Sequence, residues 1–265
     1  MNGILRDTLA ELFDRKMLYV FVALTVIALL IIASTSAIDL RIRMTGPGET
    51  VDEAPSMFVQ SAAVRMFGGF VSLLVFLATM ASANLIPSAL EKGRVEFYLT
   101  KPLGRGSFLL KKYVAICIVY GGIVVACGVI VHIVTALMHG VATTTAVYLL
   151  GAALINLAIW FSITVTTGVL TRSAPLAIMT AFLIWVAQTI LAGHEAIGEF
   201  LSSAAGKYLV DGLYYVIPKP SAIFDQASEL CLGKSVTDWV PLTSSLAFAL
   251  AAVVVAIAVL KRKEF

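Results

Sequence analysis

Three histidines, three cysteines and sixteen acids are the residues of this 265-residue chain that could ligate a metal, move a proton or attack a bond. His132 and His139 stand seven apart in one apolar run, so a helix would place them on roughly one face. A haem or metal site needs matching ligands from a second element, and the remaining histidine, His194, lies at the end of a different run. No acid lies near His132 or His139 in the sequence, so neither metal nor haem is expected. Cys117 and Cys127 share the run of His132, Cys231 lies far downstream, and no two form a CxxC pair. All three read as thiols packed as small hydrophobes. No Ser/His/Asp set and no pair of carboxylates falls at one depth, so catalysis by this chain is not expected. Nor does a G-x-x-x-x-G-K-[ST] phosphate loop occur, so ATP would have to be bound by another chain.

The chemistry-bearing residues gather instead in one segment, Leu90 to Lys112, which holds six of the nineteen Lys and Arg residues. Ser88 to Tyr98 can form a helix with Ser88 near its start. Glu91 in its first turn would complement the helix dipole. Leu90, Phe97 and Leu99 offer it an apolar side. Thr100-Lys101-Pro102 ends it, because proline disfavours helical geometry in the residue before it. Gly104 and Gly106 permit a tight turn around Arg105, and Ser107 to Lys112 starts the next helix.

The elements that must position this segment are set by hydropathy. The chain is 60% hydrophobic and 13% charged, with mean hydropathy +0.96, against about 25% charge in a soluble domain. Six runs approach the ~20 residues that cross a bilayer as a helix. They are residues 17–38, 65–87, 113–138, 145–170, 175–192 and 241–260, which predicts an all-α, polytopic membrane protein forming a single transmembrane domain. With a cytoplasmic N-terminus, thirteen Lys and Arg lie inside and six outside, and the outer segments carry ten of the sixteen acids. That asymmetry puts both termini inside. The first run is too long for the core of a cleavable signal and reads as a signal anchor.

Between the runs, residues 2–16 place Ile4, Leu5, Leu9, Leu12 and Phe13 on one half of a helical wheel and Arg6, Asp7, Glu11 and Asp14 on the other. Such a helix can lie in the headgroup region, or simply extend the first span. Residues 39–64 contain Gly46, Pro47, Gly48 and Pro55 and read as an exposed loop. Residues 193–240 are too long for a connector. Ile197, Phe200, Leu201, Ala204, Tyr208 and Leu209 recur there at helical spacing. One or two amphipathic helices are expected, lying on or dipping into the outer interface, with Tyr208, Tyr214, Tyr215 and Trp239 as an aromatic belt. Pro218 and Pro220 end that pattern.

The pattern Glu91, Gly93, Glu96, Leu99, Pro102, Arg105 resembles the cytoplasmic segment between the second and third spans of type 2 ABC transporter permeases. Lys111 or Lys112 matches a lysine that follows it in that family. Six spans, an N-terminal amphipathic helix, a long fifth outer segment (193–240) and a basic tail fit as well. The chain looks most similar to compact permeases grouped with copper-processing and gliding-motility transporters. The resemblance implies that residues 88–112 are a coupling segment docking in a groove of a separate ATP-binding subunit, which holds ATP and Mg. Glu91, Gly93, Arg94, Glu96, Pro102 and Arg105 would carry that contact. It further implies a second permease copy or a homologous permease, a location in the inner (cytoplasmic) membrane, and export by alternating access along a dimer interface lined by spans one, two and five. The plainer reading of the segment is a basic loop obeying the inside rule, which accounts for its Lys and Arg but not for the Glu–Gly–Glu–Pro–Arg spacing. The alternative function is a non-transporting membrane scaffold or assembly factor that anchors a cytoplasmic partner. No nucleic-acid partner is expected.

Within the runs, ionisable residues are nearly absent, which argues against a proton-driven secondary transporter. Asn84 and Gln188 are the polar groups that could line a path. Hydroxyl and small residues of the fourth run, such as Ser162 and Gly168, more often serve packing between helices.

Overall fold

The computed structural model describes residues 2–14, 16–45, 54–90, 104–139, 143–193, 204–236 and 238–262. Among them lie ten helices and no strand: α1 (Asn2–Asp14), α2 (Met17–Thr45), α3 (Ala54–Ser82), α4 (Leu85–Ala89), α5 (Arg105–His139), α6 (Thr143–Thr171), α7 (Ala174–Leu191), α8 (Ala204–Val216), α9 (Pro220–Cys231) and α10 (Val240–Arg262). Six stretches are long and apolar enough to cross a bilayer, carried by α2, α3 with α4, α5, α6, α7 and α10. Helices are the expected solution for such runs, because hydrocarbon offers no partner to a backbone N–H or C=O and a helix pairs them within itself.

Successive spans run antiparallel, so one end of the bundle gathers α1, α4, the start of α5 and the last turn of α10. We call this the basal end. The chain turns there at Lys16 and Arg172, both in the left-handed region with φ 55° and 54°. The turn at Lys16 makes α1 a helix separate from α2 rather than an extension of it. The second span is broken at Ala83–Asn84, and Pro87 explains the break. A proline cannot donate to the carbonyl four residues earlier, and its ring clashes with that carbonyl, here Ala83.

Two local expectations at this end differ from the structure. Ser88 closes the short helix α4, followed by a turn at Leu90, instead of opening a helix. Arg105 and Gly106 form the first turn of α5 instead of a tight loop. A Cβ on Gly106 would lie 2.9 Å from Ile257 and 3.0 Å from Lys261 on α10. That glycine therefore serves close packing between the first turn of α5 and the last turns of α10.

The centre of the bundle is α6, which packs on α3, α5, α7, α9 and α10. Its contact with α5 is close enough that a Cβ on Gly128 would meet the Leu150 side chain at 2.5 Å, the small-residue packing that membrane helices use in place of a hydrophobic driving force. Buried Tyr120 stacks edge-on against Phe21 at 6.4 Å and Phe161 at 5.9 Å, tying α2, α5 and α6 together. The hydroxyls of α6 find carbonyls: Thr166 Oγ1 lies 2.6 Å from Ser162 O and 2.9 Å from Ala252 O on α10. By contrast α2, α7 and α10 keep only 22% of their span residues buried.

At the far end the chain turns back between α8, which is mostly exposed, and α9, which packs into the bundle, and we call this pair the hairpin. Cys231 Sγ approaches Thr145 O at 3.8 Å, while Asn156 Nδ2 donates to Pro220 O at 3.1 Å. The helix α9 thus runs back alongside α6. The eleven residues from Thr145 to Asn156 put its tip about 16 Å deeper than its end. Lys219 at the tip donates its backbone N–H to Ser245 Oγ on α10 at 2.8 Å.

Candidate functional site

Two places in the bundle hold polar side chains against their ordinary preference for water. The first is at the basal end, on both sides of the charged segment. Of the positions expected to couple, Glu91, Gly93, Arg94, Glu96 and Pro102 lie outside the described residues. Arg105 is described, half-buried in the first turn of α5. Seven residues along, Lys112 is only 1% exposed, and its Nζ donates to Asp7 Oδ2 at 2.8 Å and to Glu11 Oε2 at 3.3 Å. Ser88 Oγ lies 3.4 Å from the other Glu11 oxygen. Lys111, its neighbour, is half-buried and forms no part of this cluster.

The cluster exists because α1 turns two of its acids inward. On the wheel Asp7 and Glu11 belong with Arg6 and Asp14, but they face Lys112, whereas Arg6 and Asp14 stay exposed. The apolar half of α1 divides correspondingly. Ile4 and Leu12 are buried, and Leu9 and Phe13 are exposed. Ile4 joins Ala89, Phe108 and Ala115 in a small apolar cluster directly below the ion pairs. The two described ends of the charged segment, at Leu90 and at Gly104 to Lys112, are therefore braced on one short helix. The electrostatics favour this arrangement, since a buried ammonium is tolerated when two carboxylates and an apolar surround complete it.

The second place is the hairpin tip. Lys219 is 6% exposed. Its Nζ lies 3.1 Å from Ser244 Oγ, 3.5 Å from Ile217 O and 4.1 Å from the centre of the Tyr214 ring. Among the described residues no carboxylate approaches it within ion-pair distance. Burial lowers its pKa from the ordinary lysine value, and the charge of Asp238 opposes that shift. A cavity of about 160 Å³ lies beside it, lined also by Gln188, Tyr214, Ser221 and Asp225. Burial first, and the charge of Glu229 second, push the Asp225 carboxyl above the usual carboxylate range.

Gln188 and Ser221 are shared with a second cavity of about 70 Å³, walled by Phe76, Trp160, Phe182, Trp185 and Phe224. Gln188 Oε1 accepts a hydrogen bond from Ser221 N at 3.4 Å. Asn84, the other polar group of the spans, stands in the break before α4 at the basal end and lines neither cavity. His132 packs its ring against Phe67 at 5.5 Å. The side chain of His139 is not described.

Sequence reasoning missed both buried lysines. Lys219 counted as one of six outer basic residues, although the flanking Pro218 and Pro220 marked a bend that could turn inward. Lys112 counted toward the start of the third span and, with Lys111, matched a lysine of the family but was given no partner, although Asp7 and Glu11, four apart on an amphipathic helix, offered it a pair.

Six helices long and apolar enough to cross a bilayer, with α6 at their centre, define a multi-pass membrane protein. Over residues 9–265 the chain matches the family described as ABC-2 family transporter protein, and it belongs to that family. No curated protein shows a match to it.

Proposed function

We propose that this chain is the permease subunit of an ATP-driven exporter of the inner membrane, with ATP and Mg held by a separate ATP-binding subunit. A second permease copy completes the path, and both termini and residues 88–112 face the cytoplasm. Glu91, Gly93, Arg94, Glu96, Pro102 and Arg105 form the contact with the ATP-binding subunit, whose closure on ATP rocks the spans between two arrangements.

The observation that carries this reading is the Lys112–Asp7–Glu11 cluster. A docking segment transmits force only if its base cannot slide, and here the base is pinned by buried ion pairs to α1. The tight seat of Gly106 against Ile257 and Lys261 pins it to α10 as well. Family membership makes an ATP-binding partner the natural recipient of that force.

The test is co-expression with a candidate ATP-binding subunit, followed by ATP hydrolysis measurements in liposomes. The complex is expected to survive purification and to hydrolyse ATP. Glu91→Ala and Arg105→Ala are expected to reduce complex formation at least tenfold, Glu91→Ala while leaving the thermal unfolding of the permease unchanged. A stable complex whose hydrolysis never responds to any transported compound would favour the scaffold reading instead.

A further inference from the structure

We propose that the hairpin tip and its two adjoining cavities bind a single-headed anionic amphiphile, its head at Lys219 and its apolar chain among the aromatic side chains of the second cavity. The inference rests on the exporter reading only where it makes this ligand the cargo, since binding itself needs no partner subunit.

Four observations converge. Lys219 is a cation more than nine-tenths buried that has, among the described residues, a hydroxyl, a distant carbonyl and a ring face around it but no carboxylate within ion-pair distance, the charge of Asp238 acting only from further away. Burying an ammonium on those terms is unfavourable. An ionisable group held at depth in a membrane protein is ordinarily kept for a ligand or an ion. Lys219 also precedes the first turn of α9, a twelve-residue helix whose N-terminal pole adds positive potential at the same point. The one acid lining this cavity, Asp225, does not pair with it.

The neighbouring cavity has the opposite character, and the shared wall of Gln188 and Ser221 places the two compartments in series. A hydrated inorganic anion would gain nothing from the aromatic compartment, whereas an amphiphile fills both. Access is lateral: Phe76, Phe182 and Trp185 at the edge of the apolar cavity are 49%, 53% and 47% exposed on the outer surface of the bundle. In the exporter reading this edge borders the span-five contact with the second copy, and an acyl chain enters beside that contact from the bilayer without its head first crossing water. A cationic amphiphile is disfavoured by Lys219 itself.

Trp160, buried and lining the apolar cavity, is a built-in reporter. The chain has three tryptophans, so Trp185→Phe with Trp239→Phe leaves it alone. The purified protein, in discs of zwitterionic phosphatidylcholine, is titrated with dibromostearic acid and with its methyl ester. Saturable quenching by the acid at concentrations at least tenfold below the ester is expected. Lys219→Gln should erase that difference and Lys219→Arg should keep most of it. Millimolar inorganic phosphate should not relieve the quenching.

Equal quenching by acid and ester would overturn the proposal, and because this comparison keeps Lys219 it decides even if Lys219→Gln does not fold. An acid preference that survives Lys219→Gln would overturn it too. Relief by phosphate alone would make this a free-anion site and remove the amphiphile from it. A protein that binds the acid but never couples to an ATP-binding subunit refutes the exporter reading only. One that couples but shows no acid preference refutes this site only.

Discussion

Lys112 and Lys234 show how differently two lysine–carboxylate pairs can weigh. Lys112 is 1% exposed between Asp7 and Glu11, whereas Lys234 and Glu229 meet at 3.6 Å with side chains 64% and 54% exposed. Removing Lys112 strands both carboxylates, but Asp7 keeps 37% of its side chain exposed to water, so Lys112→Met is expected to cost about 1–3 kcal/mol in detergent unfolding. Lys234→Ala should cost less than about 0.5 kcal/mol, because water screens an exposed pair. Adding Asp7→Asn and Glu11→Gln to Lys112→Met should recover most of the loss, since no charge is then left stranded. A triple variant no more stable than the single one would mean that the charges were not what held α1. At Gly106 the constraint is room: Gly106→Val should force the first turn of α5 away from Ile257, and a thermal midpoint unchanged from that of the parent would refute the packing argument. Little of this was legible in the sequence. Lys111 and Lys112 are adjacent and of one type, and only the fold brings Asp7, 105 residues away, to one of them.

The α8–α9 hairpin makes its prediction as an element. Its depth depends on the donor of Asn156, because the Pro220 carbonyl can only accept. Asn156→Leu removes the bond that ties the first carbonyl of α9 to α6, leaving only its bond within α9, at about 0.5–1.5 kcal/mol, and should let the hairpin rise. Cys231 at the other end of α9 reports the movement. Burial raises its thiol pKa, so the reactive thiolate is scarce at neutral pH and alkylation should accelerate only above the ordinary thiol range. In Asn156→Leu the same rise in rate should begin at lower pH, and mass spectrometry of the Cys231 peptide measures it. Helical spacing suggested one or two amphipathic helices here, and Pro218 and Pro220 an end to that pattern. Whether the pair rested on the bundle or entered it was not readable, because insertion depends on what α6 and α10 offer in return, namely Asn156, Ser244 and Ser245. The break in the second span was readable in principle from Pro87, though an uninterrupted apolar run conceals it.

At the scale of the molecule, number and kind of spans followed directly from hydropathy, since a bilayer leaves helices as the only option for such runs. Their neighbours did not, because every span is apolar all round and offers no stripe to orient it. The exporter reading supplies an expectation that the surface can test. A second copy covering spans one and five would bring Leu30 and Leu183, each 63% exposed, to an interface, while Leu250 on α10, 70% exposed, would face lipid. Single cysteines at Leu30 and Leu183 should form disulfide-linked dimers in native membranes and one at Leu250 should not. Linkage confined to Leu250 would place the second copy on the opposite side.

The last helix touches both polar places. Ser244 and Ser245 hold Lys219 near one end of α10, Ala252 accepts from Thr166 midway, and Ile257 and Lys261 seat Gly106 near the other. If one rigid rod reports occupancy at the hairpin to the base of the docking segment, thermodynamics fixes the traffic in both directions. Whatever factor an anionic ligand contributes to the affinity for the ATP-binding subunit, that subunit must return to the affinity for the ligand. A cargo site and a motor contact joined in this way cannot be tuned separately, and a substitution along α10 that leaves each binding event intact should still change the product of the two.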